Sequence, residues 1–143
     1  QGNAAQMTAT FIDTSFLLAM VLEPDAHHER ALAWRKRIPP PFLTTEYVLV
    51  EFLDALVQVP LRPRATRTVE TLRSDGHVRI VPADSALFGE AFQLFKTYGD
   101  KAWSLTDCIS FVVMRREGIR DALTSDHDFE QAGFRALLRT DPP

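Results

Sequence analysis

Near its start the chain reads Thr8-Ala9-Thr10-Phe11-Ile12-Asp13-Thr14-Ser15-Phe16-Leu17-Leu18-Ala19. The first half predicts a buried strand over residues 8–12. The second half predicts a helix over residues 16–22, with the hydroxyls of Thr14 and Ser15 as caps. Asp13 stands between the two. An aspartate at the carboxyl end of a strand, just before a helix, occupies the place where open α/β sheets bind ligands.

The composition describes one globular domain with its own core. The chain has 143 residues, of which 45% are hydrophobic and 24% charged, which is typical of a folded protein. The net charge of -3 excludes a global basic field, so a polyanion would need a local patch. A single cysteine, Cys108, excludes an internal disulfide and a multi-cysteine zinc site, and it fits a reducing compartment.

The first residues are not expected to belong to the fold. Residues 1–6 have neither the charged start nor the apolar core of a signal peptide. We interpret them as a cloning remnant, with Met7 as the natural start and a single domain over residues 7–143. No apolar run approaches the ~20 residues that span a membrane, so no membrane partner is expected.

Short strands alternate with helices along the rest of the chain. This alternation predicts βαβ units and a parallel sheet covered on both sides. Further strands are predicted over residues 42–44, 78–81, 122–124 and 134–138. Helices are predicted from residues 24–25 to the prolines at 39–41, over 46–59, 62–75, 84–98 and 105–117, with a short one within 125–132.

Three further acids are candidates to meet Asp13, and each also has a purely structural interpretation. Glu51 shares a helix face with other polar residues, which is typical of a solvated stripe. Asp107 is the third helical residue after Ser104, the pattern of a capping box. Asp126 follows a predicted strand, where it could equally cap a helix or form an Asx turn. Spacing alone leaves these alternatives open.

Taken together, the acids describe an oxygen-rich site without a histidine–cysteine set. Such ligands suit Mg²⁺ or Mn²⁺ rather than zinc. Crowded carboxylates repel one another, and a divalent cation neutralises that repulsion. Ions held in this way can activate water and stabilise the charge that develops when a phosphodiester is cleaved.

Four blocks, in their order and spacing, resemble the PIN-domain family, and most closely its VapC toxins. They are residues 11–15 (FIDTS), 44–51 (TTEYVLVE), 104–108 (SLTDC) and 122–134 (ALTSDHDFEQAGF). The resemblance implies a three-layer αβα sandwich with parallel strand order 3-2-1-4-5. It also implies a metal site for cleavage of single-stranded RNA, with Mg²⁺ or Mn²⁺ held by the catalytic acids Asp13, Glu51, Asp107 and Asp126.

The resemblance also assigns supporting residues. Thr14, Ser15 and Thr106 match small hydroxyl positions of the family, and with Asp128 we expect them to orient carboxylates or metal-bound waters. Separately, a charged helix carries three arginines that could bind RNA phosphates, although a solvated face is the alternative. These are Arg62, Arg64 and Arg67.

We therefore expect a metal-dependent endoribonuclease toxin in the cytoplasm, paired with a VapB-like antitoxin. The apolar segments 16–22 and 48–57 suggest a homodimer. Alternatives are a housekeeping PIN nuclease without antitoxin, a phospho-receiver or phosphatase-like Mg²⁺ domain, and an inactive binding module. Against a phosphatase of the haloacid dehalogenase type, Ser15 stands where a second aspartate is needed.

Overall fold

Five parallel strands form the centre of the computed structural model, which describes residues 8–143. The expected cloning remnant at 1–6 and the start at Met7 lie outside the described residues. The sheet order is β3-β2-β1-β4-β5, as the family resemblance implied, so β1 and β4 are neighbours at the point where the order reverses. The strands are β1 (Thr10–Ile12), β2 (Phe42–Thr45), β3 (Val78–Val81), β4 (Asp121–Leu123) and β5 (Arg135–Ala136).

Seven α-helices cover the sheet in the described part of the chain. They are α1 (Thr14–Val21), α2 (His28–Arg37), α3 (Glu46–Ala55), α4 (Arg62–Ser74), α5 (Ser85–Thr97), α6 (Leu105–Glu117) and α7 (His127–Gln131). These helices form the connections between the parallel strands, and this arrangement confirms the predicted αβα, PIN-like fold. Within residues 8–143, no helix has the length and apolar character to cross a membrane.

The second helix begins later than the sequence predicts. We expected it to start at Pro24 and Asp25, but α2 begins at His28. The Asp25 Oδ1 atom accepts the His27 backbone N–H at 2.8 Å, and this Asx-type turn holds the chain in a non-helical conformation first. The fifth strand is also shorter than predicted, because residues 137–139 form a 3₁₀ turn.

The third helix ends earlier than predicted. We expected it to continue to Val59, but α3 stops at Ala55. The Gln58 carbonyl accepts the backbone N–H groups of Leu61 and Arg62 at 2.9 and 3.0 Å. These hydrogen bonds form the turn that leads into α4. The proline at 60 has no backbone N–H to donate, so it cannot extend α3.

An aromatic cluster in the core fixes the ends of α6 and α7 nearest the site. Phe111 and Phe129 are fully buried and meet edge to face, with ring centroids 5.0 Å apart at 85°. Phe129 also contacts Phe11 of β1 at 6.4 Å. Such pairs contribute about 0.5–1.5 kcal/mol beyond area burial. Since Phe111 and Phe129 closely follow Asp107 and Asp126 in sequence, this packing sets where those two acids lie.

Candidate metal centre

Acidic side chains gather at the carboxyl ends of β1 and β4, where the strand order reverses. Asp13 directly follows β1, and Asp126 follows β4. Asp107, in the first turn of α6, reaches the same place. In open parallel sheets this is the position where a crevice forms and ligands bind. The topology therefore brings together acids that are far apart in sequence.

The tightest group consists of Asp107, Asp126 and Asp128, each of which offers a carboxylate oxygen within 4.8 Å of the others. Asp13 lies beside this group, only 5% exposed, and its charge acts on Asp107. Glu51 is more exposed and is linked to the site through Thr14, whose Oγ1 donates to Glu51 Oε1 at 2.5 Å. Sequence reasoning had ranked Glu51 above Asp128, whereas the geometry places Asp128 among the converging oxygens.

The hydroxyls at the start of α1 bind carboxylates and do not cap the helix. The helix begins at Thr14 with Asp13 in the N-cap position, and no side chain there makes a capping hydrogen bond. The prediction that Thr14 and Ser15 cap the helix is therefore wrong. Ser15 Oγ donates to Asp13 Oδ2 at 3.0 Å, because a buried carboxylate is costly unless hydrogen-bond donors satisfy it.

Two of the acids cap helices and also face the pocket. Ser104 and Asp107 form the complete capping box, in which Asp107 Oδ2 accepts the Ser104 N–H at 3.1 Å. Asp126 Oδ1 accepts the Asp128 N–H at 2.8 Å and caps α7. Each arrangement leaves the second oxygen of the carboxylate without a backbone donor. The structural and the ligand-binding interpretations of these residues are therefore compatible.

Burial and mutual repulsion raise the pKa values of the acids. Burial raises the pKa of Asp107 to about 8, and the charges of Asp126, Asp13 and Asp128 add to the effect. Burial likewise raises the pKa of Asp13 to about 6, against the opposing hydrogen bonds from Thr124 and Ser15. The pKa of Asp126 is also raised, first by burial and then by Asp128. A divalent cation would relieve this crowding.

The donor set fits a hard divalent cation. Among the described residues, the three clustered aspartates are the one group of histidine, cysteine or acidic side chains that could together hold a metal ion. All their donors are carboxylate oxygens, the ligands of Mg²⁺ and Mn²⁺. Cys108 is adjacent but fully buried, and burial together with the Asp107 charge raises the pKa of its thiol to about 11, so it stays protonated.

The remaining predicted site residues make no side-chain hydrogen bond to the acids in the described part of the chain. The Thr106 side chain makes no hydrogen bond to an acid in the described part of the chain. Arg62 donates to the Val57 carbonyl at 3.1 Å. Arg64 and Arg67 line a groove between α1, α2 and α4. RNA binding by these arginines stays a prediction.

Sequence reasoning missed Thr124. This residue is fully buried directly after β4, and its Oγ1 donates to Asp13 Oδ2 at 2.7 Å. The sequence carries one signal for it: if β1 and β4 are neighbours, the residue that ends β4 must lie beside the residue that ends β1. The observed register, with Ile12 opposite Leu123, places Thr124 there.

Parallel α/β domains bind ligands at the reversal point of the sheet. A pocket of carboxylates at this place is typical of domains that bind a divalent cation. The model of the PIN domain family matches residues 10–135. The chain therefore belongs to the PIN-domain family, as the four sequence blocks predicted. Members of this family are metal-dependent nucleases, and this chain is such an enzyme.

Similar proteins come from the VapC group. VapC20 of Mycobacterium tuberculosis, a 23S rRNA-specific endonuclease, is 32% identical over 124 residues, which cover 87% of this chain and 94% of the relative. The crystal structure of that protein, described as a sarcin–ricin loop cleaving toxin, matches with a TM-score of 0.81 at 31% identity and covers 88% of this chain and 96% of its own. FitAcB from Neisseria gonorrhoeae matches with a TM-score of 0.61 at 18% identity, covering 89% and 94%, and so shares the fold.

The raised pKa values predict how the metal-free protein responds to pH. Unfolded aspartates have pKa values near 3.9, whereas the folded protein holds Asp13 at about 6 and Asp107 at about 8. Between about pH 4 and pH 8 the folded state therefore binds more protons than the unfolded state, and stability falls as pH rises. Urea unfolding in EDTA, followed across this range, measures the slope.

The contribution of Asp107 can be isolated with two variants. Asp107→Asn should flatten the fall in stability between pH 6 and pH 8, because it removes the group with the highest pKa. Asp54→Asn, at an exposed acid of α3, should keep the wild-type slope. A wild-type stability that stays constant or rises between pH 6 and pH 8 would contradict the electrostatic account.

Proposed function

We propose that this chain is the endoribonuclease toxin of a VapBC-type pair and that its acids hold Mg²⁺ or Mn²⁺. In this assignment Asp13, Asp107 and Asp126 bind the ion, with help from Glu51 and Asp128. The observation that carries the proposal is the convergence of three aspartate oxygens within 4.8 Å, beside buried Asp13, at the reversal point of the sheet. VapC20, 32% identical over most of the chain, is named an endonuclease.

The chemistry follows from what each side chain can do. When bound, the ion would supply an activated water and offset the negative charge of the phosphodiester during cleavage. Backbone hydrogen bonds hold Asp107 and Asp126 in place, and hydroxyls hold Asp13. Such ligands need little reorganisation during the reaction, which is the main source of electrostatic catalysis. Glu51 adds a carboxylate that solvent reaches.

We propose RNA as the substrate and the cytoplasm as the place of action. Because VapC20 is named for 23S rRNA, a ribosomal RNA loop is the first target to test. Mapping the new 5′ ends in total RNA after expression identifies the cleaved bond. If the new 5′ ends lie only in transfer or messenger RNA, the nuclease assignment stands and the ribosomal target is wrong.

The Asp13→Asn variant tests the nuclease assignment. Metal-dependent RNA cleavage should fall on the order of 10²–10³-fold, the range for removing a group that stabilises transition-state charge. The fold should survive, because the asparagine oxygen can still accept the hydroxyls that now donate to Asp13 Oδ2. Cleavage of a labelled RNA with and without Mg²⁺, together with circular dichroism, provides the measurement.

A matched control uses an acid outside the site. Asp54→Asn changes an exposed carboxylate of α3 and should leave cleavage unchanged. Equal cleavage by wild type and by Asp13→Asn would show that these carboxylates are not the catalytic site. A small neighbouring gene with a DNA-binding start would favour the toxin over a housekeeping nuclease.

A groove between α1, α2 and α4 fits the antitoxin that we propose as a partner. Its volume is about 760 Å³. Apolar residues of α1, including Phe16, Leu17 and Met20, form part of its lining, and the arginines Arg64 and Arg67 also line it. An RNA phosphate would use the arginines but not the apolar residues of the groove. An amphipathic protein segment with acidic residues beside its apolar face would contact both.

Charge reversal in the groove separates an antitoxin site from an RNA site. The double variant Arg64→Glu/Arg67→Glu should weaken the complex with the antitoxin at least about tenfold, because like charges replace an attraction, and RNA cleavage should be unchanged. The control Arg73→Glu lies on the same helix but outside the groove lining. If cleavage falls while antitoxin binding stays constant, the arginines serve the RNA. Calorimetry and cleavage assays on the purified variants distinguish the two results.

Exposed apolar side chains support the proposed homodimer, and some of them lie in the segment 48–57 that the sequence suggested. Most of the segment 16–22 is buried or lines the groove. Val50, Leu53 and Val57 remain exposed on and just after α3, and four aromatic side chains are exposed on and just after α5. The starts of the two helices are linked, because Glu46 Oε1 accepts the N–H of Ala83, just before α5, at 2.7 Å. Exposed apolar surface of this kind is typical of an interface. The aromatic residues are Phe88, Phe92, Phe95 and Tyr98.

Light scattering tests the dimer. The wild type should be a dimer at micromolar concentration, and Phe92→Asp should shift it to a monomer, since it places a charge in the apolar stripe. Gln93→Asp, at the next exposed position of the same helix, should remain a dimer. A monomeric wild type at micromolar concentration would contradict the homodimer.

A further inference from the structure

Thr124 lies where the ends of β1 and β4 meet at the reversal point of the sheet. It directly follows β4 and has no solvent exposure. Ile12 pairs with Leu123 in the sheet, and the Asp13 N–H donates to the Leu123 carbonyl at 3.2 Å. Thr124 therefore stands beside Asp13 at a position that the backbone of the sheet itself defines.

The Thr124 hydroxyl connects two of the proposed metal ligands. Its Oγ1 donates to Asp13 Oδ2 at 2.7 Å and accepts the Asp126 backbone N–H at 3.0 Å. A hydroxyl has one hydrogen to donate and two lone pairs to accept with, so both bonds form at the same time. One buried side chain thus links the orientation of the Asp13 carboxylate to the position of the Asp126 backbone.

Ser15, in the first turn of α1, completes the arrangement. Its Oγ donates to the same Asp13 Oδ2 at 3.0 Å and accepts the Ser125 N–H at 3.0 Å. The oxygens of Ser15 and Thr124 are 3.1 Å apart. Both hydroxyl donors therefore act on one oxygen of Asp13 and leave Oδ1 without a hydroxyl donor.

We propose that Thr124 is a positioning residue of the nuclease site: its hydroxyl holds Asp13 by Oδ2, which leaves Oδ1 for the ion that the acids would bind, and it fixes the backbone of Asp126. The inference rests on the proposed function and adds a residue that touches neither metal nor substrate. The methyl group of Thr124 has no part in this role. The hydroxyl and the methyl group can therefore be separated by substitution.

Two near-isosteric variants form the test. Thr124→Val keeps the shape and removes the hydroxyl, while Thr124→Ser keeps the hydroxyl and removes the methyl group. Electron paramagnetic resonance measures Mn²⁺ affinity on the metal-free chain, and thermal unfolding is followed in EDTA. We expect Thr124→Val to bind Mn²⁺ about 10–100-fold more weakly, the range for losing a group that orients a metal ligand. Thr124→Ser should stay within about threefold of wild type, even if its unfolding temperature is lower.

A purely structural role predicts a different pattern. Both variants would then lose thermal stability and bind Mn²⁺ like the wild type, and this result would overturn the inference. A tenfold loss of affinity in Thr124→Ser would overturn it too. If Thr124→Val does not fold, Thr124→Cys replaces it, because a thiol is a weak donor; affinity equal to that of Thr124→Ser would refute the role of the hydroxyl.

The outcome is separable from that of the proposed function. If the wild type binds Mn²⁺ and loses cleavage on Asp13→Asn, but Thr124→Val matches wild-type affinity, only the inference about Thr124 fails. If the wild type binds no Mn²⁺ at all, both proposals fail. RNA cleavage by the same variants gives a second measurement, in which Thr124→Val should be impaired and Thr124→Ser active.

Discussion

Charge repulsion is the constraint on which the whole site depends, because several carboxylates, buried or half-buried, must lie close together. Hydrogen bonds from the immediate surroundings oppose this repulsion. The carboxylate of Asp107 accepts a backbone N–H from Ser104, and that of Asp13 accepts two hydroxyls. Each bond favours the ionised form and lowers a pKa that burial raises. The resulting pocket keeps enough unrelieved charge to favour a cation.

Core packing provides the rigidity that hydrogen bonds alone would not. The rings of Phe111 and Phe129 meet at 5.0 Å, and each ring sits within about one helical turn of an acid. Phe129 also reaches Phe11 in β1, so one aromatic cluster connects the elements next to Asp13, Asp107 and Asp126. Interiors are packed too densely to deform freely. Acids on separate elements therefore keep a constant separation.

Local patterns predicted most of the fold, because strand and helix periods and their breakers are local properties. The strand order came from the family resemblance, since periodicity does not say which strands pair. For Asp107 and Asp126, spacing could not separate helix capping from ligand binding. The structure shows that each carboxylate caps its helix with one oxygen, and its second oxygen is available to bind a ligand. Thr124 escaped notice because its partner Asp13 is 111 residues away. Its sequence context is simply that of a strand end.

A carboxylate that both caps a helix and faces a pocket has two separate roles, one in folding and one in binding. Asparagine satisfies the first, since its side-chain oxygen also accepts a backbone N–H, but it lacks the charge that the second requires. Asparagine in place of Asp107 or Asp126 would therefore preserve the start of the helix and remove the charge that the pocket needs. Folding and cation binding can thus be lost independently at one and the same residue.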